Sequence, residues 1–155
     1  DRINVDIDYK SINVILYILN KVILNRTQLM KYLFASDFLN YKLFNKTISN
    51  FKYAHAPFGP IVNNQDALLN LLIKQDYIKL ASSADDSAML FSPLQEADLS
   101  CFSENEIKVL DKIIDKFKKM SAKDLSDWSH KFIGWMKTKD GEIIDFKYAK
   151  EFDER

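Results

Sequence analysis

The sequence predicts a single, mainly α-helical domain with a small antiparallel β element, an α+β fold over residues 1–155. Three observations lead there. Apolar side chains recur at helical spacing in the first and last thirds of the chain. Glycine and proline number three each and none precedes Pro57, so the first third lacks the commonest helix breakers. In the middle, short aromatic and apolar runs flank a turn-forming cluster and then a polar tip, which reads as strands and a hairpin.

Ile12, Ile15, Leu16, Leu19, Val22 and Ile23 mark one side of a first helix. Asp8 or Ser11 can cap it by accepting from free amides of the first turn. Asn25-Arg26-Thr27 interrupts the pattern. A second helix starts near Thr27, with Leu29, Leu33, Phe34, Phe38, Leu39 and Tyr41 inward. Two long helices on a short link are expected to pack as an antiparallel pair. Phe51 to Ala56 carries aromatic residues at two-residue spacing, a strand pattern. Pro57 and Pro60 fix φ and remove amide donors, and Gly59 permits positive φ, so the strand ends there. Pro60 suits the first turn of a third helix bearing Ala67, Leu68, Leu71 and Leu72. Tyr77–Leu80 and Ala88–Phe91 form a hairpin around a polar tip.

The last third returns to helices. Ser103-Glu104-Asn105-Glu106 is a capping box, in which the Ser hydroxyl accepts from the third helical amide and the Glu reaches back. Ile107, Leu110, Ile113, Ile114 and Phe117 share a face of the helix it opens. Ser121 to Asp124 repeats the start signal for a shorter helix with Leu125 and Trp128. Gly134, Asp140-Gly141 and Ile143-Ile144-Asp145-Phe146 read as a turn and a short extended piece. Helices should cover about half the chain, above the usual ~30–35%. The core should include Leu33, Phe34, Leu71, Leu110, Ile114 and Trp128.

Hydrophobic residues make up 47% and charged residues 28%, the balance of a soluble globular protein. Lysine plus arginine equals aspartate plus glutamate, 22 against 22. That disfavours a bulk electrostatic nucleic-acid binder and a polybasic membrane anchor. The apolar stretch from Ile12 to Leu24 is broken by Asn13, Asn20 and Lys21, too short and polar for a bilayer span. The one cysteine, Cys101, allows no internal disulfide and fits the reducing cytoplasm. The chain starts at Asp1 rather than Met, and a fragment or processed form is expected.

Catalytic chemistry is hard to assemble. His55 and His130 are the two histidines. Asp124, Asp127 and His130 share a helix face and have metal-ligand chemistry. Equally, those carboxylates suit a helix start and that histidine a helix end. Ser129 and His130 are adjacent, so on a helix they point about 100° apart and do not form a nucleophile–base pair. No Walker loop, dinucleotide-binding glycine fingerprint, nucleophile elbow or zinc-protease helix occurs. The chain is expected not to be an enzyme and to need no metal or cofactor. Phe34, Phe38, Tyr41 and Phe44 fall at helical spacing, as a core stripe or a partner face would.

Three ordered patterns resemble one family. The first is Lys31-Tyr32-Leu33-Phe34-Ala35-Ser36-Asp37-Phe38-Leu39-Asn40-Tyr41, with Lys46-Thr47-Ile48 after it. The second is Tyr53-Ala54-His55-Ala56-Pro57-Phe58-Gly59-Pro60-Ile61-Val62. The third is Leu125-Ser126-Asp127-Trp128-Ser129-His130, then Trp135, then Asp140-Gly141-Glu142-Ile143-Ile144. In this order they resemble the Panacea domain, or SocA-like antitoxin domain, over nearly the whole chain. The resemblance implies a mostly helical unit with a small β element, found in bacterial toxin–antitoxin loci and prophages. It implies that the domain neutralises a cognate toxin by binding it. It also implies that DNA contacts come from an N-terminal segment not present here. Gly59, Pro60, Ser129, His130 and Trp135 match signature positions. Phe58 stands where the family often has Tyr, which keeps packing and loses a hydroxyl. Gly59-Pro60 can equally just shape a turn, and His130 and Trp135 can just lock the last helix.

The leading expectation is therefore a toxin-neutralising module acting in the cytoplasm. A transcriptional regulator is the alternative, because Ala67 to Phe91 has the helix–hairpin order of a winged helix. Only Lys74 and Lys79 are positive in that stretch, against Asp66, Asp76, Asp85 and Asp86. A prophage-associated enzyme is a further alternative. The first two helices carry apolar residues beyond one inward stripe: Tyr17, Ile18, Leu24, Met30, Tyr32, Phe38, Tyr41, Leu43 and Phe44. The partner surface is expected on the outer side of the second helix, with Tyr41 and Phe44, joined by the turn at Phe58 near that helix's end.

Overall fold

In the computed structural model, which describes residues 7–155, Asp8 opens the first helix by accepting from Ser11 N at 2.7 Å. Helix α1 runs Tyr9–Lys21 and α2 runs Arg26–Phe44. Asn25 caps α2 in a reciprocal box with Gln28. Strands β1 (Tyr53–Ala56) and β2 (Gly59–Val62) form an antiparallel hairpin. Helix α3 (Gln65–Lys74) leads to a second hairpin of β3 (Ile78–Ser82) and β4 (Met89–Pro93). A 3-10 turn at Leu99–Cys101 precedes α4 (Glu104–Phe117), which opens on the Ser103–Glu106 capping box. Helices α5 (Ala122–His130) and α6 (Ile133–Met136) and a 3-10 segment, Phe146–Glu151, complete the chain. Helical residues make up 52% of those described. No helix among them is long and apolar enough to cross a membrane.

Helix α2 is the axis of the fold. Every residue from Leu29 to Asn40 is buried, so no outer face remains along that stretch. Such a helix is apolar around its circumference rather than along one stripe. β2, α4, α5 and the Phe146–Glu151 segment pack around it. Helix α1 packs on β4 as well as on α2. Among the polar groups that α2 buries, Asp37 is tied down most fully. Asp37 accepts from the Ile48 and Ser49 amides at 2.8 and 2.9 Å, from Tyr53 Oη at 2.5 Å and from the Ser49 hydroxyl. These bonds pin the loop after α2 and the start of β1 to the helix. Burial raises the Asp37 pKa, and the donors from Ser49, Tyr53 and Ile48 oppose that rise.

Three expectations need correction. Pro60 lies inside β2 opposite His55, and α3 starts only at Gln65. Proline is tolerated because His55 turns its own backbone away from β2. Its amide donates to Glu142 O at 2.8 Å, and its carbonyl accepts from Gly141 N at 2.9 Å. The residues after Gly141 thus lie along β1, with Ala54 bridged to Ile143. The buried side of α3 is Leu68, Leu69 and Leu72, and Leu71 is half-buried. Trp128 is also half-buried, ringed by Phe34, Phe117 and Phe152, while Leu33, Phe34, Leu110 and Ile114 are core. Tyr17, Ile18, Leu24, Met30, Tyr32 and Phe38 are core rather than surplus.

Candidate partner-binding site

The β1–β2 turn, Pro57-Phe58, is held by side chains from α5 and α6. Trp135 Nε1 donates to the Ala56 carbonyl at 2.9 Å. His130 Nε2 lies 2.9 Å from the Pro57 carbonyl, which only accepts, so this nitrogen carries the proton. The Ser126 hydroxyl donates to the Phe58 carbonyl at 3.0 Å. Three consecutive carbonyls of the turn are thereby fixed from one side. Proline on either side of Phe58-Gly59 restricts φ further.

Trp135 is itself clamped. His55 stacks on it at 4.2 Å and 10°, and His130 meets it at 4.2 Å and 31°. His55 Nδ1 reaches the Trp135 carbonyl at 2.8 Å. Gly59 has φ +113°, which a side chain rarely adopts, and a Cβ there would lie 2.2 Å from Ser129 Oγ and 2.5 Å from Lys31 Cε. Only glycine lets the turn sit this close to α5 and α2. Ser129 is buried and donates to Ser126 O at 2.8 Å, so it helps shape the seat.

What the clasp presents is Phe58, 68% exposed, the most exposed large apolar side chain among the described residues. Met136 and Ile143, on segments flanking β1, are also exposed. An exposed phenyl on a braced turn is the arrangement of an interface anchor, since little conformational freedom is lost on binding.

The structure brings Phe58, Gly59, Pro60, Ser129, His130 and Trp135 together. It does not bring Phe58 to Tyr41 and Phe44. The turn meets α2 at Lys31, about 20 Å of helix before Phe44. Tyr41 is half-buried and stacks on Phe146 at 5.2 Å, while Phe44 is 40% exposed. Asp127 pairs with Lys123 at 2.9 Å and His130 is engaged with Pro57. Among the described residues no cluster of three His, Cys, Asp or Glu side chains is placed to hold a metal.

Lys31 and Ser126 escaped the reading of roles from sequence. Lys31 is fully buried, and its ammonium reaches only the Pro60 carbonyl, at 3.4 Å. Burial lowers its pKa from 10.5 to about 8. Its place within the first signature pattern was the available signal.

A family model described as antitoxin SocA-like, Panacea domain, matches residues 29–136. The chain belongs to the SocA-like Panacea antitoxin family. The match runs from the first turn of α2 to the end of α6 and so takes in the whole clasp around the β1–β2 turn. Comparison with curated proteins and with solved structures gives no match. Membership in this antitoxin family implies a toxin as partner.

Proposed function

We propose that this Panacea domain neutralises its cognate toxin by direct binding, with Phe58 on the β1–β2 turn as the aromatic anchor. The observation that carries the reading is the combination of an exposed Phe58 with three braced carbonyls beneath it. The signature residues Gly59, Pro60, Ser129, His130 and Trp135 shape the presentation, and the side chain they present makes the contact. The domain binds and does not catalyse, and it acts in the cytoplasm. Tyr41 and Phe44 form a separate patch. Any DNA contact of the whole protein falls to another segment, because α3 and the β3–β4 hairpin set Lys74 and Lys79 among four aspartates.

The test is co-expression with the adjacent gene's product in bacteria. The neighbour alone should arrest growth, the wild-type domain should restore it, and Phe58→Ala should fail to restore it while folding normally. A neighbour that is harmless alone sinks the antitoxin reading, and full rescue by Phe58→Ala sinks the role of the turn.

A further inference from the structure

The Phe146–Glu151 segment is flanked by two grooves with cationic rims. One, of about 510 Å³, has Tyr41, Lys42, Asn45, Phe146, Lys147 and Lys150 in its lining. The other, of about 440 Å³, has Lys137, Lys147, Tyr148, Lys150 and Glu151. Lys147 and Lys150 belong to both, so the grooves form one surface across the segment.

The charges on this surface are unbalanced. No carboxylate lines the first groove, and Glu151 is the one in the second. Lys42 is already engaged, with Glu154 at 2.9 Å and the Phe152 carbonyl at 2.6 Å. Lys137, Lys147 and Lys150 are exposed and form no ion pair among the described residues. In a chain whose charges cancel overall, this is a local excess of positive charge. The floor is aromatic: Tyr41 and Phe146 stack at 5.2 Å and 20°. Phe44 lies at the end of the same helix, partly exposed. Phe146, Lys147 and Lys150 lie C-terminal to the span that the family model matches.

We infer that this surface binds an acidic segment of the partner toxin. Lysines at the rim pair with carboxylates, and the aromatic floor takes the apolar side chains between them. Nucleic acid is the less suitable polyanion, because three exposed lysines neutralise few phosphates and leave a weak electrostatic footprint. The inference rests on the antitoxin reading and adds the chemistry of the partner at a second contact.

The experiment is fluorescence anisotropy on the full chain with a labelled oligo-glutamate peptide at low salt, and in parallel with a DNA duplex of equal charge. The peptide should bind, and Lys147→Glu/Lys150→Glu should weaken it at least about tenfold. Phe58→Ala should leave peptide binding unchanged. Absence of peptide binding, unchanged binding by the double variant, or tighter binding of the duplex than of the peptide overturns the inference. Lys147→Gln/Lys150→Gln, read beside its melting temperature, gives the same decision if charge reversal disturbs the fold. Failure of Phe58→Ala to neutralise bears only on the turn, so the two claims fail separately.

Discussion

Lys31 is the least expected residue in the structure: a lysine with no exposed surface, no carboxylate partner and one long hydrogen bond. Its pKa is pushed down to about 8 by burial. Between about 8 and the ordinary 10.5 the unfolded chain binds the proton that the folded one has released. Stability therefore rises with pH across that window, and below it the folded state carries the full cost of the buried charge, about 3 kcal/mol. Lys31→Met should raise the melting temperature at neutral pH and flatten the rise between pH 8 and 10.5, as thermal melts across that range will show. Gly59 faces the same space from the other side. Gly59→Ala should cost about 2–4 kcal/mol, because it forces a methyl onto Ser129 and Lys31 and strains φ. Urea unfolding measures that loss. Lys31→Met should not relieve it, since Ser129 Oγ is the nearer obstacle.

At the scale of elements, the β1–β2 hairpin and its clasp act as one unit. Ser126→Ala with Trp135→Phe removes two of the three bonds that hold the turn. Toxin affinity should then fall roughly tenfold through lost preorganisation, with Phe58 itself untouched. Calorimetric titration of the double variant checks this. The opening of α4 should respond differently: Ser103→Ala loses the cap on Glu106 N, and stability falls by about 1 kcal/mol with toxin affinity unchanged. Helix starts were legible because caps are local: Asp8, Ser103 and Ser121 act within one turn. The β3–β4 hairpin was legible for the same reason. β2 was not, because Pro60 is acceptable in a strand only when the partner residue bonds elsewhere, and His55 bonds to Gly141 and Glu142, far along the chain. The all-round burial of α2 was equally hidden. Lys31, Ser36, Asp37 and Asn40 are polar, and only tertiary contacts such as Asp37 with Ser49 and Tyr53 make such positions interior. At the candidate site, the signature residues were visible in sequence. That His130, Trp135 and Ser126 converge on successive carbonyls of one turn is a product of how α5 and α6 pack.

For the whole molecule, the central helix forms the core, and the proposed contacts rest on the clasp and the lysine-rimmed surface. Helix α2 supplies the core, and every residue from Leu29 to Asn40 is buried. The chain's charges cancel, so association with a partner should depend on particular patches rather than on a general field. Phe58 is the patch on which the account depends most. Its side chain is 68% exposed, so removing it should leave the fold intact. Titration of the purified toxin into the purified domain, wild type and Phe58→Ala, with melting curves of both, tests this most directly. The account predicts an affinity at least about thirtyfold weaker, the loss of a binding hot spot, at an unchanged melting temperature. Equal affinity for the two proteins would contradict it.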